Sequence, residues 1–178
     1  MERSPLISGL IVFACILLAS MRVPAAAAPS KDCVSCHRAA VQASKFTHGP
    51  VGVGLCTVCH AGEKPDPAKH HTFALAKPEP ELCLSCHEGL REKVQSSKVK
   101  HPAIEAAGCT GCHDPHGSSQ RFFLKGKSMA SLCAACHEDK TSAAVVHEPA
   151  GKSCALCHDQ HGASERKLLK AAPPELCL

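Results

Sequence analysis

The sequence predicts a mostly irregular chain with short α-helices, built as tandem repeats around covalently held groups and not around an apolar core. Three observations lead there. The unit Cys-x-x-Cys-His occurs six times, as Cys33-Cys36-His37, Cys56-Cys59-His60, Cys83-Cys86-His87, Cys109-Cys112-His113, Cys133-Cys136-His137 and Cys154-Cys157-His158. The 178 residues hold no Trp, no Tyr and only five Phe, too few large side chains for an ordinary core. Most of the units also fall into longer repeats with a period of 45 to 53 residues, two units in each.

Cys-x-x-Cys-His is the attachment signature of a c-type haem. Two cysteines three positions apart share one face of a helical turn, where both thiols reach the vinyl groups of one porphyrin. The next residue, His, points under the ring and coordinates iron. Zinc ribbons and thioredoxin-like redox pairs also use Cys-x-x-Cys, but neither requires His directly after the second Cys. With His at 13 of 178 positions, six in six by chance is roughly a one-in-ten-million event. Twelve of the 14 cysteines lie in these units, which are therefore read as six haem c sites. Six porphyrins are expected to replace the missing core, since chains with small cores need metals or covalent staples to fold. The fold expected is haem-nucleated, with an apoprotein that does not fold.

Taken in order, residues 1–27 read as a secretory signal peptide. Arg3 gives a charged start, Leu6 to Ser20 is apolar, and Val23-Pro24-Ala25-Ala26-Ala27-Ala28 offers small residues for cleavage near Ala27, because Pro29 disfavours a cut after Ala28. The apolar run is about 15 residues, short of the roughly 20 that a membrane-spanning helix needs. Cys15 lies inside that run, with Ile16-Leu17-Leu18 after it, which argues against a lipidated N-terminus. Covalent haem c is installed outside the cytoplasmic membrane in bacteria and archaea, so an exported, periplasmic or extracellular protein is expected.

Without Arg3, Arg22 and Glu2 the chain carries 18 Lys and Arg against 15 Asp and Glu. Twelve haem propionates would turn that small positive balance to about −9 when reduced and about −3 when oxidised. The lysines are then read as neutralising propionates, and a nucleic-acid partner is excluded.

Residues 28–178 form the expected multihaem domain: a half unit at 30–44 and two-haem units at 48–92, 101–140 and 147–178. The lone Cys33–His37 motif reads as the second half of a unit whose first half is absent. Recurring landmarks are Leu75, Leu124 and Leu169 after each first motif, and Leu82-Cys83, Leu132-Cys133 and Leu176-Cys177 at each second one. Pro174-Glu175-Leu176-Cys177-Leu178 repeats Pro80-Glu81-Leu82-Cys83-Leu84, which continues Ser85-Cys86-His87. The last unit therefore reads as truncated two residues into a further motif, with a seventh haem if the chain continues. Short helices are expected to carry the motifs, one from Glu81 to about Gln95 behind Pro80, and one capped by Ser128 and running through Cys136. The spans between show no strand-like alternation, and Gly62 to Lys69, with Pro65 and Pro67, reads as an inserted loop.

Each motif supplies one axial ligand, and seven further histidines are candidates for the other: His48, His70, His71, His101, His116, His147 and His161. They recur at fixed places in the repeat, unlike solvated surface histidines. His48, His101 and His147 precede a first Cys by seven or eight residues, and His116 and His161 follow a motif His by three within His-Asp-x-His-Gly. His70-His71 takes the corresponding place after its insertion. His116 cannot easily pass round the porphyrin edge to the far side of its own iron, so it and His161 are expected to reach neighbouring haems. Seven candidates for six irons allow every haem to be bis-His and closed, the low-spin arrangement that carries electrons and offers no substrate site. Met129 is not read as a ligand. Potentials below the standard hydrogen scale are expected.

The paired units, above all His101-Pro102…Cys109-Thr110-Gly111-Cys112-His113-Asp114-Pro115-His116-Gly117…Leu132-Cys133-Ala134-Ala135-Cys136-His137, resemble the doubled CXXCH family of multihaem c-type cytochromes. The resemblance covers about Lys31 to Leu178. It implies bis-His haems and electron transfer in anaerobic or extracellular respiration, with no catalytic residues. The partners expected are redox proteins: a membrane quinol oxidoreductase or small cytochrome as donor, and a terminal reductase, outer-membrane conduit or mineral as acceptor, with membrane association not required. Two other readings stay open at this point. One is a subunit of a polymeric cytochrome filament, and the other a reductase of nitrogen or sulfur oxyanions with one open haem.

Overall fold

The computed structural model describes residues 31–177 apart from Ala43, Pro67, Lys69 and Thr141. The signal-peptide segment, Cys15, Leu178 and the side chain of His70 lie outside the described residues.

All six Cys-x-x-Cys-His motifs form one helical turn. In each, the His N–H donates to the carbonyl of the first Cys, at 2.8 to 3.1 Å where the contact lies outside a regular helix. The path of the backbone beyond that turn divides the motifs into two kinds. After His37, His87 and His137 the chain re-enters a helix. Thus α1 (Lys31–Cys36) is followed by α2 (Arg38–Gln42). Farther on, α5 (Glu81–Leu84) is followed by α6 (Glu88–Ser96), and α8 (Met129–Ala134) by a 3-10 turn at Glu138–Lys140. The long helix expected from Glu81 to Gln95 is therefore broken. His87, at φ −91° and ψ 64°, leaves helical geometry and separates the two helices. Ser128 caps α8 through a reciprocal pair with Ser131, as the sequence predicts, although the helix ends at Ala134 and not at Cys136.

After His60, His113 and His158 the chain turns back on itself instead. His113 bridges to Leu124 and His158 to Leu169. At the first of these sites the return is a true hairpin of β2 (His60–Asp66) and β3 (His70–Leu75), with His60 opposite Leu75. The expectation of an inserted loop over Gly62 to Lys69 is thus corrected. A two-stranded ribbon consists of edges alone, so Pro65 can sit in it without removing a hydrogen bond that a central strand would need. The recurring leucines are the residues that meet the motif histidines across this turn.

Short ladders tie one repeat to the next. β1 (Phe46–Thr47) pairs antiparallel with β5 (Gly117–Ser118), and β4 (Val99–Lys100) pairs antiparallel with β6 (Gly162–Ala163). In both cases the strand just before a repeat's leading His receives the strand just after the next repeat's His-Asp-x-His. Among the described residues the remaining α-helices are short, of four or five residues: α3 (Gly49–Gly52), α4 (Cys56–Cys59), α7 (Ala103–Ala107) and α9 (Glu148–Lys152). Among the described residues Ala163 is the only buried apolar side chain, and no helix is long and apolar enough to cross a membrane. The described residues enclose no apolar core of their own.

Candidate haem sites

The helical turn of each motif presents its two thiols together, and thiols of successive motifs adjoin. Burial pushes the Cys83 thiol up to about 12, with the Cys109 thiol hydrogen-bonded beside it and the Glu79 carboxylate adding to the effect. Burial likewise raises Cys133 to about 11, with Cys154 hydrogen-bonded beside it and Cys112 contributing. Cys56 is raised by burial and by its contact with Cys33, and Cys59 by burial and by Cys83 and Cys86. The motifs therefore neighbour one another in space in the order in which they occur along the chain.

Five of the six motif histidines face one histidine from outside the motifs. The ring centroids are 5.6 Å apart for His37 and His71, 5.9 Å for His60 and His116, and 6.0 Å for His87 and His48. They are 6.0 Å apart for His113 and His161, and 6.2 Å for His137 and His101. Three of these pairs are nearly parallel, at 3° and 15°. Burial lowers the basicity of His60, with His116 and His37 adding to it; burial and His137 do the same for His101. For His161, burial lowers it first and His113 adds, against the opposing pull of Asp159. These three rings are pushed toward the neutral form that can ligate a metal.

The spacing fits iron between the rings. Two metal–nitrogen bonds of about 2 Å and two ring radii of about 1.1 Å place a pair of trans imidazoles about 6 Å apart, centre to centre. Among the described residues His37 and His71 alone also come within hydrogen-bonding reach, with Nε2 atoms 3.4 Å apart, closer than the about 4 Å that two metal–nitrogen bonds would span. Among the described residues no three His, Cys, Asp or Glu side chains converge as a tetrahedral zinc site would require. The imidazoles meet in twos.

Orientation comes from the opposite edge of the ring. His113 Nδ1 lies 2.7 Å from the Phe122 carbonyl, His158 Nδ1 2.8 Å from the Lys167 carbonyl, and His48 Nδ1 2.9 Å from the Pro115 carbonyl. His71 Nδ1 lies 3.2 Å from Glu63 Oε1. An N–H donated from Nδ1 leaves Nε2 as the free lone pair, the usual arrangement of a metal-binding imidazole. The carbonyls of Phe122 and Lys167 are aimed by a costly backbone. Phe122, Phe123, Lys167 and Leu168 all have φ of 57° to 59°, a region that L-residues avoid. In the His-Asp-x-His segments, Asp114 Oδ1 accepts from the His116 N–H at 3.0 Å and Asp159 Oδ1 from the His161 N–H at 3.3 Å. The Asp folds each segment so that its second His leaves its own motif and faces the previous repeat. Sequence reasoning did not find the oriented carbonyls, although recurring Leu124 and Leu169 mark the turns that carry them.

The structure thus places His48, His71, His101, His116 and His161 each opposite a motif His. His116 faces His60 and not His113, and His161 faces His113 and not His158. Among the described residues no imidazole faces His147 or His158. His37 meets His71, the counterpart of His116 and His161, so the lone first motif combines the helix–His–helix shape of a second motif with the histidine pairing of a first one.

Comparison with known proteins agrees with this organisation. The doubled CXXCH motif family matches residues 48–92, 101–142 and 147–178. Over 152 residues the chain is 36% identical to the multiheme cytochrome MtrA of Shewanella baltica (strain OS185), covering 82% of this chain and 43% of that protein. The chain thus spans less than half the length of that relative. With three matched segments at the period of its repeats, the chain belongs to the doubled CXXCH motif family of haem-binding proteins.

Proposed function

We propose that the chain is an exported electron-transfer cytochrome that carries six haem c groups and relays electrons along them in sequence order. The carrying observation is the set of five motif–partner imidazole pairs at 5.6 to 6.2 Å. In this reading Cys33, Cys36, Cys56, Cys59, Cys83, Cys86, Cys109, Cys112, Cys133, Cys136, Cys154 and Cys157 anchor the haems. His37, His60, His87, His113, His137 and His158 are the proximal ligands. His71, His116, His48, His161 and His101 close the first five irons in chain order.

When bound, haem supplies a one-electron couple. The protein's part is to hold it closed and close to the next. An imidazole on each side leaves no room for substrate, and an Nδ1–H held by a fixed carbonyl keeps the ring from turning. The adjoining thiols Cys33 and Cys56, Cys83 and Cys109, and Cys133 and Cys154 would hold successive haems beside one another, where each would supply a one-electron couple next to the last. Small redox proteins or a quinol oxidoreductase fit as donors, and a terminal reductase, conduit or mineral as acceptor, in anaerobic respiration. Export follows from where haem c is attached.

Haem counting by mass, combined with a spectropotentiometric titration, tests the proposal. Six covalent haems are expected, with a mainly low-spin ferric spectrum and reduction spread over potentials below the standard hydrogen scale. A protein that matures without covalent haem, or that binds zinc at these cysteines, would sink it.

A further inference from the structure

Where the thiols of Cys83 and Cys109 adjoin, a carboxylate joins the two motifs. Glu79 stands four residues before Cys83 and takes two hydrogen bonds from Thr110, the residue after Cys109. The Thr110 N–H donates to Oε2 and the Thr110 hydroxyl to Oε1, both at 3.0 Å. The carboxylate is thus fixed against the turn that carries the fourth motif, while the chain behind it runs into the helix that carries the third.

This approach needs Gly108, which has φ 65° and whose Cβ, if it had one, would stand 2.5 Å from Glu79 Oε2. The other two thiol junctions lack both parts. Leu55 and Ser153 precede Cys56 and Cys154, and Pro29 and Met129 take the place of Glu79 before Cys33 and Cys133. Among the described residues no Lys or Arg pairs with Glu79. Lys77 pairs with Glu81, Lys93 with Asp159, and the Arg91 guanidinium donates to the Leu84 carbonyl. Glu79 is half-buried, and its charge is felt at the Cys83 thiol, which it helps to raise.

We propose that Glu79 sets the reduction potentials of the two central haems, on Cys83–Cys86 and Cys109–Cys112, by fixing one negative charge between their anchoring turns. A fixed negative charge opposes the gain of an electron, so both potentials are lowered together. The driving force between the two haems stays the same, while the level that an electron must reach to cross the middle of the array rises. This inference rests on the haem reading above.

The test is a redox titration of the holoprotein followed by NMR, with haem methyl signals assigned through their Overhauser contacts to Cys83 and Cys109. Glu79→Gln keeps an oxygen for the Thr110 N–H and removes the charge. Reduction of those two haems should become about tenfold more favourable, as for one unit charge at about 10 Å and an effective dielectric of about 20. For one electron that is about 59 mV. The other four haems should shift less. Exchange of the Thr110 amide hydrogen should stay slow in Glu79→Gln and become fast in Glu79→Ala, which loses the acceptor. Glu81→Gln removes a charge that is exposed and paired with Lys77, and should move no haem by more than about twofold. Unchanged potentials in Glu79→Gln, a shift spread equally over all six haems, or an equal shift in Glu81→Gln would overturn the proposal and leave the electron relay standing. So would a Glu79→Gln shift accompanied by fast Thr110 exchange, because a loosened junction and not the charge would then be its cause. Absence of covalent haem would instead remove the reading on which it rests.

Discussion

A motif or partner histidine is oriented here by what holds its far nitrogen. The Phe122 and Lys167 carbonyls take the Nδ1–H of His113 and His158, and the Pro115 carbonyl takes that of His48. Asp114 and Asp159 then fold the segments that carry His116 and His161 across to another motif. This makes cross-ligation testable one residue at a time. His116→Ala should open the haem on Cys56, Cys59 and His60, adding one carbon-monoxide-reactive haem to the count. In the triple variant Cys56→Ala/Cys59→Ala/His116→Ala that added fraction should vanish, because its haem is no longer attached. If it persists, His116 serves some other iron.

The turns after the first motifs are where an element spends conformational energy on geometry. Lys167 sits at φ 59° to aim its carbonyl at His158, in a region that costs an L-residue about 1–2 kcal/mol. Lys167→Gly should leave the haem spectrum unchanged and raise stability by up to about 1 kcal/mol, after glycine's own entropic cost. Lys167→Val, with a β-branched side chain in the same region, should destabilise, and paired thermal melts would show the two shifts in opposite directions. Equal destabilisation by both would mean that the turn is not strained. These turns also mark the limit of what the sequence makes legible. The motifs, the repeat period and the cap at Ser128 are local patterns, and they can be read directly. The ladders of Phe46–Thr47 with Gly117–Ser118 and of Val99–Lys100 with Gly162–Ala163 are two residues long, too short to show alternation. The pairing of His116 with His60 depends on such a ladder and on Asp114, so candidate ligands could be named from spacing while their partners could not. The hairpin over 60–75 was hidden by Gly62 and Pro65, which break a strand pattern but are tolerated in an isolated ribbon.

Across the described residues, the polypeptide is a wrapping without an apolar core. Ala163 is the only buried apolar side chain among the described residues, while Val53, Leu75, Phe122 and Leu156 are exposed. Two-stranded ribbons and single-turn helices are marginal alone in water. The apoprotein, made without haem attachment, is therefore expected to show no cooperative thermal transition and little protected amide hydrogen, whereas the holoprotein melts cooperatively. A sharp transition in the apoprotein would mean that the chain packs by itself. Because the neighbouring thiols keep the order of the motifs, the whole array should be one sequence-ordered relay and not a cluster. Anomalous diffraction from crystals of the holoprotein at the iron absorption edge tests that most directly. Six iron peaks are expected, whose neighbours run in the order His37, His60, His87, His113, His137 and His158, with the first five lying between the imidazole pairs named above. Irons ordered otherwise, or bound by other pairs of histidines, would contradict a sequence-ordered relay.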